Sequence, residues 1–466
     1  MDESGQERKW NNKLVAWLKS PVRSDVIEIA WPVLLELLLG TLFGMVDMIM
    51  LGRLNNNSVA AASVAAVGMT NQPLFVGLSL IQALNVGGTA MVARYLGSGQ
   101  KDRIEDTLKH VMLLCMLLAI PLSILGIIFT DSIMHLMGAQ ADTLQVGRSY
   151  FRVIMVGFIF QSFNMSISAA LRGIGETKTP MKINLKVNFL NVIGNAVLIY
   201  GLLGFPEMGI TGAGISTAMS NVIASILLFS YIIKGKSIVT FNIRKSFRID
   251  GRIMYNLIKI GVPASLEQMI LRVGVLLFVR IVAGLGTIVY AAHQIALNIL
   301  GLSFQPGQAF GIAASSLLGR NLGAGEYKKA EDYAKETRRL GSMISTFMAV
   351  LFFFFGPQLV GLYTRDPGII ESSSMALKII ALVQPFQSSQ LILAGGLRGA
   401  GDTFWPMAGT FAGVIIVRIA LAHIFVNTMG MGLTGAWLAV FVDQFVRWLF
   451  VYARFRTGQW KHIKIR

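Results

Sequence analysis

The sequence predicts an all-α membrane protein, with twelve transmembrane helices in two six-helix lobes related by an internal parallel repeat. Three observations lead there. Apolar stretches of about 18 to 30 residues recur along the whole length, each enough to cross a bilayer core of about 30 Å at 1.5 Å per residue. Charged residues make up only 14% of the 466 and hydrophobic ones 54%, against roughly 25% charged in an ordinary soluble domain. The chain is also written twice. Ala93-Arg94-Tyr95-Leu96-Gly97-Ser98-Gly99 returns as Gly319-Arg320-Asn321-Leu322-Gly323-Ala324-Gly325, and Leu171-Arg172-Gly173-Ile174-Gly175-Glu176-Thr177 returns as Leu397-Arg398-Gly399-Ala400-Gly401-Asp402-Thr403, both 226 positions apart. Weaker echoes keep the same order: Trp31-Pro32 with Glu36 against Val262-Pro263 with Glu267, Gln72-Pro73 against Gln305-Pro306, and Met208-Gly209 against Met431-Gly432.

In order, the spans run near 27–51, 59–92, 108–129, 144–170, 184–204, 209–233, 257–283, 288–318, 338–362, 371–396, 405–427 and 432–453. Many are rich in Val, Ile and Phe, which in water favour strands. Lipid reverses that preference, because each segment must satisfy its own backbone hydrogen bonds. Barrel strands need short runs of alternating polarity, and these runs do not alternate. Six spans per half make both halves enter from one side, the arrangement of a parallel repeat with a site between lobes. The domains expected are an N-terminal segment 1–24, a first lobe 25–234, a basic linker 235–256, a second lobe 257–453 and a tail 454–466.

A formal net charge of +17 raises the question of nucleic acid, and the placement of the charges answers it. With both termini in the cytoplasm and residues at span ends counted with the adjoining loop, 32 of the 41 Lys and Arg fall on the cytoplasmic side, 3 on the opposite side and 6 inside spans. That is the positive-inside pattern of a multi-pass protein of the cytoplasmic membrane. It is not a basic face set with aromatic platforms, so no nucleic-acid partner is expected. The charged first 24 residues lack a small-residue cleavage site, so the first span is expected to be retained. Cys115 is the single cysteine, which excludes an internal disulfide and a cysteine metal cluster.

Polar residues inside the spans carry the functional reading. Asp47, near the outer end of the first span, is an intramembrane acid and a functional candidate by default. Glu36 lies 11 residues earlier, within about 20° of the same face and about 16 Å deeper, so one stripe of that helix carries two acids. Asn191 and Asn195 share one face of the fifth span, and their oxygens suit a protonated carboxyl or a small hard cation, or simply bond to neighbouring helices. The second and eighth spans hold Asn71, Gln72, Gln82, Asn85, His293, Gln294, Asn298, Gln305 and Gln308. With Pro73 and Pro306 read as kinks at matching places, Gln72 and Gln305 point to a central cleft. Glu267 lies five residues before Arg272, and the two are expected to neutralise each other unless Glu267 serves coupling. Arg280 follows two turns on, and Arg418 and an Asp443–Arg447 pair at i, i+4 are read as structural. The Leu-Arg-Gly-x-Gly segments are expected to be glycine turns; they lack the phosphate-loop spacing. No His-Glu-x-x-His or Gly-x-Ser-x-Gly pattern supports an enzyme.

These residues together resemble the multidrug and toxic compound extrusion (MATE) transporters. The resemblance rests on Met45-Val46-Asp47-Met48 with Gly52-Arg53, on the Arg94-x-Leu-Gly-x-Gly loop and its repeat, and on the two Leu-Arg-Gly-x-Gly-x-Thr turns, and it covers nearly the whole chain. It implies a V-shaped pair of lobes that alternates between openings and, acting as a monomer without a cofactor, exports mostly cationic amphipathic small molecules in exchange for sodium or protons. It also implies a cation site, for sodium or a proton, at Asp47, Asn191, Asn195 and Thr217. Some members of that family carry a second carboxylate where this chain has Asn195. Others carry acids in the seventh and tenth spans, where this chain has Glu267 but then Gln384, Gln387 and Gln390. The alternative within transport is a flippase for lipid-linked precursors, which Arg272 and Arg280 keep open.

The topology has a direct test. A cysteine at Thr240 should be protected from a membrane-impermeant label in intact cells, and one at Asp366 should react; the reverse result refutes the orientation.

Overall fold

The computed structural model describes residues 20–54, 56–244 and 247–463. The expected N-terminal segment therefore lies, over residues 1–19, outside the described residues, as do the last three residues of the tail and residues 245 and 246 of the linker. Among the described residues all regular structure is helical. Twelve long helices follow one another: α1 Pro21–Gly52, α2 Asn57–Gly97, α3 Lys101–Ile128, α4 Ala141–Gly173, α5 Lys178–Tyr200, α6 Gly209–Ile233, α7 Gly251–Ala283, α8 Thr287–Gly323, α9 Tyr327–Gly361, α10 Pro367–Gly399, α11 Phe404–Thr428 and α12 Gly432–Arg456. A short helix, Thr130–Leu136, separates α3 from α4.

Most helices outrun the apolar spans at the end nearer the chain termini, here called the basic side. α9 begins at Tyr327, eleven residues before the lipid-compatible run at 338. Hydropathy marks where lipid ends, whereas a helix continues until a cap stops it. α7 is capped at its start by the Asp250 carboxylate, which accepts from the Arg252 and Ile253 amides; those bonds hold its pKa below the usual carboxylate value.

The repeated turns take matching backbone shapes. Gly99 and Gly325 have φ +75° and +74°, and Gly175 and Gly401 both have φ +85°, a region that side chains with a Cβ avoid. The same segments make the contact between lobes. A Cβ on Gly97 would collide with the Arg320 carbonyl, and one on Gly323 with the Arg94 carbonyl, so each helix end is pressed against its own repeat copy. Arg94 Nη2 donates to the Ala400 carbonyl at 2.9 Å, and the Ser316 hydroxyl to the Gly173 carbonyl at 3.0 Å. The start of α1 leaves its own lobe: Arg23 Nε bonds Glu336 at 2.8 Å, and Asp25 accepts from Tyr333.

Apolar packing shows the same division by depth. Ile253, Leu257 and Ile260 of α7 join the core of the first lobe, and Val26, Ile29 and Ala30 of α1 join that of the second. These six residues all lie in basic-side halves. Toward the other side the clusters around Tyr150 and Ile199, and around Phe278 and Trp437, each draw on one lobe alone. The lobes are thus joined on the basic side and part beyond mid-depth. One expectation fails. Counted back from the repeated turn, Pro73 is 24 residues from Gly97 and Pro306 is 17 from Gly323, so the prolines lie about two turns apart in depth and not at matching places.

Gly97→Val and Gly323→Val should prevent the basic side from closing. A cysteine at the buried Ser316 should then be labelled several-fold faster from that side by an impermeant maleimide; unchanged labelling would show that this contact does not hold the lobes together.

Candidate functional site

Each lobe fastens its first helix with one carboxylate. Glu36 on α1 accepts from Arg172 Nη2 at 2.7 Å, in the last turn of α4, and from Asn184 Nδ2 on α5 at 2.6 Å. Glu267 on α7 accepts from Arg398 Nη2 at 2.7 Å, in the last turn of α10, and from the Thr410 hydroxyl on α11 at 3.3 Å. Arg172 and Arg398 are 226 positions apart, as are Asn184 and Thr410, so the whole triad is duplicated. The turn segments therefore do more than turn the chain, since each delivers the guanidinium that neutralises an intramembrane acid. Sequence reasoning missed this pairing, although each half repeats an intramembrane acid on its first helix and an arginine in its Leu-Arg-Gly turn, 136 and 131 residues apart, and that was the signal for it.

Two expected pairs do not form. Arg272 is exposed, and its guanidinium lies 5.5 Å from the ring centroid of Phe75 on α2. Five residues turn a helix by about 140° beyond one full revolution, so Glu267 and Arg272 leave α7 on different faces. Asp443 accepts from Arg418 Nε at 3.0 Å, and Arg447 Nε has no hydrogen-bond partner.

Glu36 and Asp47 do lie on one stripe of α1, and α5 runs along it in parallel register. Glu36 meets Asn184 and Asp47 meets Asn195, each partner 148 positions on. At the upper level Asn195 Nδ2 donates to Asp47 Oδ1 at 2.7 Å and lies 3.4 Å from Asn191 Oδ1. Asn191 Nδ2 donates to the Ser216 and Thr217 hydroxyls of α6 at 3.2 and 3.3 Å. The four residues expected to gather, Asp47, Asn191, Asn195 and Thr217, are therefore one hydrogen-bonded group between α1, α5 and α6. Asn195 is fully buried, and its Oδ1 has no hydrogen-bond partner. A buried carbonyl oxygen left unpaired beside a carboxylate costs roughly 1–3 kcal/mol; a hard cation or a protonated acid removes that cost.

The other candidates sit lower. Gln305 Nε2 reaches across the lobes to the Thr41 hydroxyl at 3.2 Å, six residues below Asp47 on α1. Phe75 and Arg272 make a second contact across the lobes, between α2 and α7. Gln72 is exposed on α2, three residues from Phe75. Glu36 and Glu267 are held through Oε1 by donors inside their lobes, and the buried Oε2 of each has no hydrogen-bond partner.

Comparison with known proteins agrees with this architecture. The MatE family model matches residues 32–197 and 263–424, one match in each half. The probable multidrug resistance protein NorM of Thermotoga maritima is 29% identical over 441 residues, covering 94% of this chain and 93% of its own. The multidrug resistance protein NorM of Vibrio cholerae is 27% identical over 426 residues, covering 90% and 92%. A crystal structure of MATE in the bent conformation superposes with TM-score 0.87 at 23% identity, covering 96% and 98%. A transporter of the MOP superfamily from Pyrococcus furiosus, described as having reverse polarity of its binding pocket, gives TM-score 0.86 at 23% identity over the same shares.

Removing one member of a duplicated pair should chiefly affect folding. Glu267→Gln strands Arg398 and should cost roughly 3–5 kcal/mol, read as a lowered Tm of the purified protein, while Glu267→Gln with Arg398→Gln should recover most of it. A wild-type Tm for the single variant would refute the structural role.

Proposed function

The chain belongs to the MatE family, and on that premise we propose that it is a cation-coupled multidrug exporter, working by alternating access in the cytoplasmic membrane with both termini in the cytoplasm. The coupling ion is sodium or a proton and the cargo is a small organic cation or related amphipath; neither bilayer nor cargo calls for a second protein chain. The observation that carries the coupling assignment is the buried, unpaired Asn195 carbonyl oxygen beside the Asp47 carboxylate. Oxygen ligands on three helices suit a small hard cation, and a carboxyl at membrane depth suits a proton equally well.

The mechanism follows from what the residues hold. Asp47 supplies the one exchangeable negative charge, because the triad arginine already neutralises Glu36. Asn195 orients the carboxylate through Nδ2 and offers Oδ1 to the ion. Asn191 fixes that amide and is itself held by Ser216 and Thr217. A cation or proton on Asp47 changes the charge of the α1–α5–α6 group, and α1 continues below it into contacts with the second lobe through Thr41, Ile29, Asp25 and Arg23. Ion binding therefore acts on the helix that also closes the basic side, which is the linkage an antiporter needs. The names of the NorM relatives, multidrug resistance proteins, support export of drugs. A flippase of phosphate-bearing lipid precursors is the second reading, favoured by Arg272 standing exposed where α7 meets α2 of the other lobe.

Asp47→Asn keeps size and hydrogen bonding but cannot change charge. It should insert normally, retain binding of a lipophilic cationic dye and lose nearly all gradient-driven export in vesicles with separately imposed sodium and proton gradients. Export at the wild-type rate along either gradient would sink the assignment, and movement of a lipid-linked precursor independent of both would favour the flippase.

A further inference from the structure

The duplicated triads allow the first-lobe group to be mapped onto the second lobe. Glu36 and Glu267 are 231 positions apart, which makes Phe278 the counterpart of Asp47. On α11 the mapping needs the local winding. Up to Asn184 and Thr410 the copies are 226 apart. α11 then changes to i→i+5 hydrogen bonding over Phe411–Arg418 and again over Ile424–Thr428. At its far end Leu198 and Phe425, whose carbonyls accept from the Met208 and Met431 amides at 3.0 and 2.9 Å, are 227 apart. One residue has been inserted, as a π-bulge does, and it turns Arg418 onto the face that Asn191 occupies in α5. The counterparts of Asn195 and Thr217 are Ala422 and Val440, both buried and apolar.

Where the first lobe has an acid, two amides and a hydroxyl, the second has an aromatic ring, a guanidinium and two aliphatic side chains. Arg418 is largely buried, lies 5.7 Å from the Phe278 ring centroid and is ion-paired to the fully buried Asp443. We propose that Arg418 is a built-in cation, filling in the second lobe the position the exchangeable ion takes in the first, so that coupling is confined to one ion per cycle at Asp47. The charges around it agree. Arg398, Arg418 and Arg447 stand against Glu267 and Asp443, and Arg447 lies in the field of both acids. A mobile cation there would add to a surplus of positive charge. In the first lobe Arg172 alone stands against Glu36 and Asp47, a deficit that one cation fills.

The proposal rests on the first-lobe reading, and the experiment separates the two. Purified protein in nanodiscs is assayed for equilibrium binding of radioactive sodium and for proton release on adding a lipophilic cationic dye. Wild type should exchange one cation and Asp47→Asn none. Phe278→Asp alone should add nothing, because Arg418 captures the new carboxylate, whereas Phe278→Asp with Arg418→Asn should raise the count to two. Arg418→Gln with Asp443→Asn, which removes the pair without stranding a charge, should still exchange one and carries the test if the other double variant does not fold. A wild-type count of two, an extra ion with Phe278→Asp alone, or a cation lost in Arg418→Gln with Asp443→Asn overturns the proposal. A cation that survives Asp47→Asn refutes the first-lobe reading instead, while the Phe278 series still reports whether Arg418 excludes an ion.

Discussion

The buried carboxylate–arginine pair, built once in each lobe, is the interaction on which the rest of the structure depends. An unpaired acid at that depth is unfavourable, so Glu36 and Glu267 fix where the Leu-Arg-Gly-x-Gly turns end and how the first helix of each lobe lies against the fifth. Asn184 adds a second bond to Glu36 and sets the register of α5 on α1. Three turns higher the same register brings Asn195 to Asp47. A structural ion pair near the basic side thus places a polar group near the opposite side.

Duplication with divergence explains how one fold carries two differently charged interiors. The triads remained alike because either acid without its arginine would leave a desolvated charge. The groups above them were free to differ. A carboxylate became Phe278 or the reverse, and one inserted residue in α11 exchanged an amide for Arg418. The wide i→i+5 turns permit this, since an added residue is absorbed locally without moving the helix ends. Among the described residues of the paired triads and the groups above them, Asp47 is the acid that no arginine meets.

The depth profile of the packing gives this arrangement its mechanical meaning. Glycines at the ends of α2 and α8 let backbones touch across the lobes, where side chains would hold them apart. Among the described residues the directional bonds of that contact are Arg94 to the Ala400 carbonyl and Ser316 to the Gly173 carbonyl. It can therefore separate and reform without breaking the cores of the two lobes. α1 is the exception that couples them, with its lower end packed into the second lobe and its upper end bonded within the first.

The sequence by itself determined the membrane environment, the number of spans, the parallel repeat and the stripe of α1 that bears both acids, because these depend on composition and helical period alone. It also pointed to Asp47, Asn191 and Asn195, since polar residues at that depth are too costly to be incidental, while Thr217 came through family resemblance. Pair identity was a different matter. Glu267 with Arg272, and Asp443 with Arg447, are near neighbours in sequence, yet the partners are Arg398 and Arg418, more than 130 residues away in one case and on another helix in both. Proximity along a helix cannot reveal which faces meet, and the bulge that turns Arg418 inward leaves no mark in residue type. Helix packing decided which acid is neutralised by an arginine and which is met only by amides, because it fixes the distance between groups that the chain keeps far apart.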